Sequence, residues 1–141
     1  MIGESLIKAI GPDLNGSIGT VPGTDSNGAQ IYAQMAEKDG FTAGPYSPEA
    51  YDAAALTLLA MQAADSKDSD KVKAKVFDVA NAPGVKILPG ELGKALKILK
   101  NGGEIDYVGA TAVELIGGGE SSGSYREILV KDGKNTTVRY R

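Results

Sequence analysis

The chain has 141 residues, of which 42% are hydrophobic, and its 15 Lys and Arg stand against 18 Asp and Glu for a net charge of −3. This length suits one domain with a single core. The acidic balance argues against a nucleic-acid partner, because such binding needs a dense basic face. The absence of Cys and His excludes disulfides, thiolate nucleophiles, imidazole acid–base pairs and the usual zinc ligands. We therefore expect no metal and no cofactor.

Neither an export signal nor a membrane span is expected. The opening residues, MIGESLIKAI, carry Glu4 and Lys8 inside their apolar patch and lack a signal peptide's apolar stretch and cleavage site. No apolar run approaches the ~20 residues that a bilayer-spanning helix needs. If the protein is exported, we expect the exporting signal to lie outside this chain.

Local patterns predict three short elements in the first part of the chain. Apolar residues at helical spacing predict a helix over Glu4–Ile10, which Gly11-Pro12 ends. A strand is predicted over 17–21, followed by a polar loop over 22–27. A second helix is predicted over 29–38.

The strongest predicted helix covers residues 48–64 and begins at Ser47-Pro48. Ser is a preferred N-cap, Pro suits the first helical position, and Glu49 then complements the helix dipole. The following run, AYDAAALTLLAMQAA, is apolar almost all round. Such a helix is normally covered on several sides, so the rest of the structure has to supply that cover.

The second half of the chain changes from helical to extended. Amphipathic patterns predict helices over 71–80 and 90–100, and β-rich runs predict extended segments over 113–116, 125–130 and 136–140. The last two runs flank Lys131-Asp132-Gly133-Lys134, and Asp-Gly between such runs is a strong hairpin signal. The fold class is therefore α/β, with helices in the middle and strands at both ends.

Tyr51 and Asp52 are the candidate site residues. They lie in the first turn of the predicted 48–64 helix, directly after the turn Gly44-Pro45-Tyr46. In one interpretation Tyr51 is an aromatic residue of the core and Asp52 is a partner of the helix dipole. In the other, the start of the helix faces a cleft, where Tyr51 forms a contact wall and Asp52 is an acceptor for a ligand. The residues alone leave both interpretations open.

At this point the sequence resembles a known family. GPYSPEAYDAAALTLLAMQAA, followed by APGVKILPGELGKALKILKNGGEIDYVGATAVEL, is similar to the C-terminal portion of branched-chain amino-acid substrate-binding proteins of ABC importers. The likeness runs from about Gly16 to about Lys134 and rests on the order and spacing of Tyr-Asp-Ala-Ala at 51–54, Pro-Gly-Glu-Leu at 89–92 and Asp-Tyr-Val-Gly-Ala at 106–110. It implies part of a type I periplasmic-binding-protein fold, with helices on a mostly parallel sheet and a C-terminal β-hairpin.

The resemblance also implies a domain division and a site. Residues 1–21 would end a second-lobe segment with one strand, 22–110 would form a first-lobe-like helical segment, and 111–141 would hold the return crossing and the C-terminal strands. The resemblance implies ligand contacts at Tyr51 and Asp52, between two lobes, and a hinge at Pro22, Gly23 and Ala110. It implies an amino acid or similar small solute as ligand, a membrane permease as partner, a periplasmic or other extracytoplasmic location, and no enzymatic activity.

The chain departs from the family in two respects. Residues 115–119 read Leu-Ile-Gly-Gly-Gly, where many relatives have an acidic, turn-forming stretch. Family members are also much longer, so this chain looks like the last portion of such a protein. Part of the sheet over the 48–64 helix would then be missing, and an exposed apolar face costs roughly 25 cal/mol per Å². We therefore expect a homo-oligomer, exchange of elements between copies, or pairing with a complementary N-terminal fragment.

Two functions follow. The first is the solute-binding component of an ABC importer for branched-chain or related amino acids, present as a C-terminal fragment. The alternative is a truncated receptor domain that acts as an oligomeric structural or interaction module without ligand binding. No constellation of carboxylates or Tyr residues supports an enzyme.

Overall fold

A computed structural model describes residues 2–141, so Met1, the first residue of the predicted 1–21 segment, lies outside the described residues. The chain divides into two compact units. The first comprises the residues up to Asp25 together with Gly123–Arg141, and the second comprises Ser26–Ser122. The second passage between units follows residue 122, later than the predicted boundary at 110/111. The assignment of the segments to the two lobes stays a prediction.

Helices and strands both contribute to the described chain, which confirms the α/β class. The helices are α1 (Glu4–Ile10), α2 (Asn27–Lys38), α3 (Ser47–Ala64), α4 (Ser69–Ala80) and α5 (Leu92–Lys100). The strands are β1 (Ile18–Pro22), β2 (Val85–Ile87), β3 (Ile105–Tyr107), β4 (Leu115–Ile116), β5 (Glu120–Ser121), β6 (Tyr125–Lys131) and β7 (Lys134–Tyr140). None of the helices in residues 2–141 combines the length and the apolar character needed to span a bilayer.

The first unit contains an antiparallel sheet in the order β1-β6-β7. Its buried apolar side chains are Ile7 of α1, Val21, Ile128 and Val130. The predicted C-terminal hairpin is confirmed, since β6 and β7 pair across a two-residue turn of Asp132 and Gly133 with φ of 53° and 70°. Two successive positive φ values are what a type I′ hairpin turn requires.

The second unit is built around the parallel pair β2 and β3. Helices α4 and α5 pack against β3, and α3 packs against α4 and α5. Its core consists of the following buried residues: Ala55, Leu59, Ala60, Val79, Ala80, Ile87, Ala95, Ile105, Tyr107 and Val113. The prediction of strands only at the two ends of the chain is wrong, because β2 and β3 lie in the middle. Each has three residues, too few to show the alternation that identifies a strand.

The start of α3 differs from its prediction. Tyr46, with φ of 67°, occupies the N-cap position, and Ser47 is the first helical residue. The Ser47 hydroxyl accepts a hydrogen bond from the Gly44 N–H at 3.0 Å, so it stabilises the turn before the helix instead of capping it. Tyr51 and Asp52 consequently lie in the second helical turn and not in the first.

One face of α3 is buried and the opposite face is exposed. Leu59 and Ala60 are fully buried in the core, whereas Leu58 is 53% exposed. We call the exposed residues the outer face of α3, and they are Ala50, Ala53, Ala54, Thr57 and Leu58. The uncovered apolar face expected from the sequence is therefore present in the described chain.

Candidate functional site

The parallel strands β2 and β3 end side by side, since Ile87 pairs with Tyr107. Each strand is followed by a loop, which we call the β2 loop (residues 88–91) and the β3 loop (residues 108–111). In α/β sheets, ligands bind outside the carboxyl ends of the strands. This carboxyl edge is therefore the candidate functional site.

Asp52 binds the β3 loop. The residue is 2% exposed. Its Oδ1 accepts hydrogen bonds from the Tyr107 hydroxyl and the Ala110 N–H, both at 2.8 Å. Its Oδ2 accepts from the Thr111 N–H at 2.8 Å and from the Thr111 hydroxyl at 2.7 Å. A carboxylate offers about four acceptor positions, so the protein itself uses the full capacity of this one.

Two glycines allow the close approach of α2, α3 and the β3 loop. Gly109 has a φ of 60°, and a Cβ at this position would overlap with the Asp52 carboxylate. Gly28, in the first turn of α2, lies against the Gly109 carbonyl, so a methyl group there would overlap with the carbonyl oxygen. Both positions therefore require glycine for steric reasons.

The Tyr107 hydroxyl is a buried donor. Burial, with the nearby charge of Asp52 as a further cause, raises the pKa of Tyr107 far above its ordinary value. The hydroxyl therefore stays protonated at neutral pH and donates to Asp52.

The β2 loop is bound by more exposed contacts. The Tyr51 hydroxyl accepts from the Gly90 N–H at 3.0 Å, and the Tyr51 ring lies 5.3 Å from that of Tyr32, tilted by 55°. Glu91 accepts from the Leu88 N–H at 2.9 Å and pairs with Lys94 at 3.0 Å. The hydrogen bond from Leu88 and the contact with Lys94 lower the pKa of Glu91.

The chain is similar in sequence to one known protein and in structure to another. No protein-family model matches the chain. The chain is 31% identical over 100 residues to the chemotactic signal transduction system substrate-binding protein BasB of Halobacterium salinarum, a match that covers 71% of this chain and 24% of BasB. The crystal structure of the leucine binding protein LivK from Thermotoga maritima aligns with a TM-score of 0.68 and 18% identity, over 98% of this chain and 34% of the LivK chain.

The chain has part of a type I periplasmic-binding-protein fold. The resemblance to substrate-binding proteins expected from the three sequence motifs is thereby confirmed. The chain spans about a quarter of the length of BasB and about a third of the LivK chain. Both relatives are named as binding proteins and neither as an enzyme.

Within this periplasmic-binding-protein fold, the two predicted ligand residues reach different loops. Tyr51 contacts the β2 loop and Asp52 the β3 loop, so adjacent residues of α3 bring both loops to the carboxyl edge. The contacts of Asp52 favour a role in fixing the loop over a direct ligand contact. The direct contact stays a prediction, as does the contact of Tyr51 with a ligand.

The predicted hinge residues occupy different surroundings. Pro22 ends β1, and the Gly23 N–H donates to the Ser124 carbonyl at 3.1 Å, both within the first unit and a few residues before the passage at 25/26. Ala110 is fully buried in the β3 loop of the second unit. Their role as a hinge stays a prediction.

Sequence reasoning missed several residues of this site, among them three around Asp52 and the β3 loop. Tyr107 and Thr111 donate to Asp52, and Gly28 lies against the β3 loop. The motif at 106–110 contains Tyr107 but does not by itself indicate a contact with Asp52, and Thr111 lies one residue beyond the motif. Nothing in the sequence around Gly28 indicates its role. Glycine is required there because the chain segment that packs against it lies about 80 residues away in the sequence.

Proposed function

We propose that this chain is the C-terminal portion of an extracytoplasmic solute-binding protein of an ABC importer for branched-chain or related amino acids. The observation that carries the proposal is the alignment with a leucine binding protein over 98% of the chain. The similarity to a second substrate-binding protein supports the same function. In this proposal the partner is a membrane permease, and the location is periplasmic or otherwise extracytoplasmic.

Tyr51 is the proposed ligand contact in this chain. In its bond with Gly90 the hydroxyl oxygen accepts, which leaves the hydroxyl proton free to donate to a carboxylate or carbonyl of the solute. The rings of Tyr51 and Tyr32 form an apolar wall beside it. Binding pockets combine such walls with a few placed polar groups. Pro22, Gly23 and Ala110 are the proposed hinge residues.

Thermal unfolding with a panel of amino acids tests this proposal. A ligand that binds only the folded state stabilises it by about 2.7 kcal/mol at one hundred times its Kd. We expect leucine, isoleucine or valine to raise the Tm of the chain. The Tyr51→Ala variant should lose most of that shift, and Tyr140→Ala, a Tyr of the first unit that is 40% exposed, should keep it. No shift with any amino acid, or an equal shift in both variants, contradicts the proposal.

A second function, an oligomeric interaction module without ligand binding, is favoured by the outer face of α3. Ala50, Ala53, Ala54 and Leu58 are apolar, and the hydroxyl of Thr57 donates to the Ala53 carbonyl at 2.8 Å within the helix. The face therefore presents no charged side chain and no unsatisfied donor to solvent. Exposed apolar patches of this kind mark association sites in soluble proteins.

Light scattering on the purified chain tests this second function. A mass of two or more chains supports a homo-oligomer or exchange of elements between copies, and a co-purifying polypeptide supports a complementary N-terminal fragment. Ala54→Glu places a charge on the outer face and should dissociate the assembly. Ala74→Glu makes the same change at an exposed position of α4 and should leave the assembly intact. A monomer that binds no hydrophobic dye contradicts this function.

A further inference from the structure

We propose that Asp52 is a positioning residue of the candidate site, which fixes the β3 loop at the carboxyl edge of the sheet and does not contact the solute. The part of this inference that concerns a solute rests on the proposed function. The part that concerns the loop rests on the contacts of Asp52 alone.

The protein itself fills every hydrogen-bond position of the Asp52 carboxylate. All four hydrogen bonds of Asp52 come from the protein, and three of the four come from Ala110 and Thr111 of the β3 loop. A solute ammonium group could bind Asp52 only by displacing one of these donors. Displacement would leave a buried N–H or hydroxyl without a partner, which costs more than the new bond gains.

Residues 109–112 have an unusual backbone conformation. Gly109 and Ala112 have φ of 60° and 55°, in the left-handed region, which is unfavourable for Ala. A segment with such residues keeps one conformation only when its surroundings determine it. The N–H groups of Ala110 and Thr111, which lie between these two residues, both bind Asp52. Asp52 is therefore placed to select this conformation over less strained alternatives.

Tyr107 separates the positioning role from a direct contact. It is fully buried, so it cannot touch a solute, yet it donates to the same Asp52 oxygen as Ala110. If Asp52 acts through the loop, the loss of the Tyr107 hydroxyl weakens solute binding. If Asp52 binds the solute directly and the loop position is irrelevant, the Tyr107→Phe change leaves solute binding as it is.

Hydrogen exchange tests the positioning of the loop without any solute. Asp52→Asn replaces one acceptor oxygen by an NH2 group. This NH2 group is itself a donor, so it cannot accept the hydrogen bonds of the N–H or O–H groups that it faces. We expect the amides of Ala110 and Thr111 to exchange at least about tenfold faster than in the wild type, because hydrogen bonds to charged groups contribute more than neutral ones. Amides of β6 in the first unit should keep their rates. Asp70→Asn, the same change at an exposed position of α4, should leave all of these rates unchanged.

Milder variants serve if Asp52→Asn does not fold. Tyr107→Phe and Thr111→Val each remove one hydroxyl donor, and we expect each to accelerate exchange of the Ala110 and Thr111 amides by a smaller factor. Equal acceleration across the whole second unit, or no acceleration at these two amides, overturns the positioning role.

The solute arm uses the Tm shift produced by leucine, measured for each variant against its own ligand-free Tm. The positioning role predicts a reduced shift in Tyr107→Phe and in Thr111→Val, although Tyr51 itself is unchanged in both variants. A full shift in both variants overturns it. Should leucine leave the wild-type Tm unchanged, the proposed function fails for this chain, and the hydrogen-exchange arm still decides whether Asp52 positions the loop.

Discussion

The two loops at the carboxyl edge differ in how they are stabilised. The β3 loop donates three hydrogen bonds to the buried carboxylate of Asp52, which also accepts one from Tyr107 of β3, and the loop lies against a glycine of α2. The β2 loop donates an exposed hydrogen bond to the Tyr51 hydroxyl, and within the loop the Leu88 N–H donates a partly buried one to the Glu91 carboxylate. Buried charged hydrogen bonds contribute more than exposed ones, since solvent does not compete for the donors. The β3 loop is therefore expected to be the more stable of the two loops at this edge.

The largest expected effect on stability comes from α3, the helix whose side chains accept hydrogen bonds from both loops. Leu59→Ala removes a fully buried side chain from the inner face of α3 and should lower the free energy of unfolding by about 2–5 kcal/mol. Leu58→Ala makes the same change on the outer face, where the side chain is 53% exposed, and should cost about 0.5 kcal/mol or less. Urea unfolding measures both. A large loss for Leu58→Ala would mean that the outer face is covered in solution.

The β3 loop provides the next effect. Gly28→Ala introduces a methyl group that overlaps with the Gly109 carbonyl, and the resulting shift should cost about 1–3 kcal/mol. Gly93→Ala is the matched control in α5, where a methyl group meets no atom within 4 Å. It should leave the stability unchanged or raise it by up to about 0.5–1 kcal/mol, the value for a helix interior, because Ala favours a helix over Gly. Equal effects of the two variants in urea unfolding would contradict the close approach of α2 to the loop.

The β2 loop should respond more weakly. Tyr51→Phe removes the acceptor of the Gly90 N–H, which remains accessible to water, so we expect a loss of about 0.5–1.5 kcal/mol at most. Tyr140→Phe, at an exposed position of β7, controls for the loss of a Tyr hydroxyl. A loss in urea unfolding as large as that of Gly28→Ala would remove the distinction between the two loops.

The smallest expected effect is the contribution of Glu91 to the pH dependence of the free energy of unfolding. Its pKa is lowered from an ordinary value of 4.5, chiefly by the hydrogen bond from Leu88 and then by Lys94. The unfolded chain therefore binds the proton more readily, and the stabilisation by Glu91 is present above about pH 4.5 and decreases as the pH falls below it. Glu91→Gln should flatten the decrease of the urea midpoint between neutral and acidic pH. An unchanged slope would show that Glu91 contributes nothing to the acid sensitivity.

Local sequence patterns predicted the elements that carry a strong local signal. Ser47-Pro48 and the long apolar run predicted α3, and Asp132-Gly133 predicted the C-terminal hairpin, because capping and turn preferences depend on a few neighbouring residues. The apolar character of α3 predicted a helix that needs cover on several sides, and the resemblance to a longer family predicted that part of this cover would be missing. Strands β2 and β3 escaped prediction, since three residues each carry too little pattern.

The site itself depended on contacts far apart in the chain. The sequence by itself determined that Tyr51 and Asp52 lie together on one helix, and that the chain resembles substrate-binding proteins. Only the tertiary structure decided that the two side chains bind different loops, because Gly90 and Thr111 are brought to them by the pairing of β2 with β3. Hydrogen bonds between residues separated by 39 and 59 positions leave no local trace, and an acidic residue that binds a solute looks the same in sequence as one that binds its own protein.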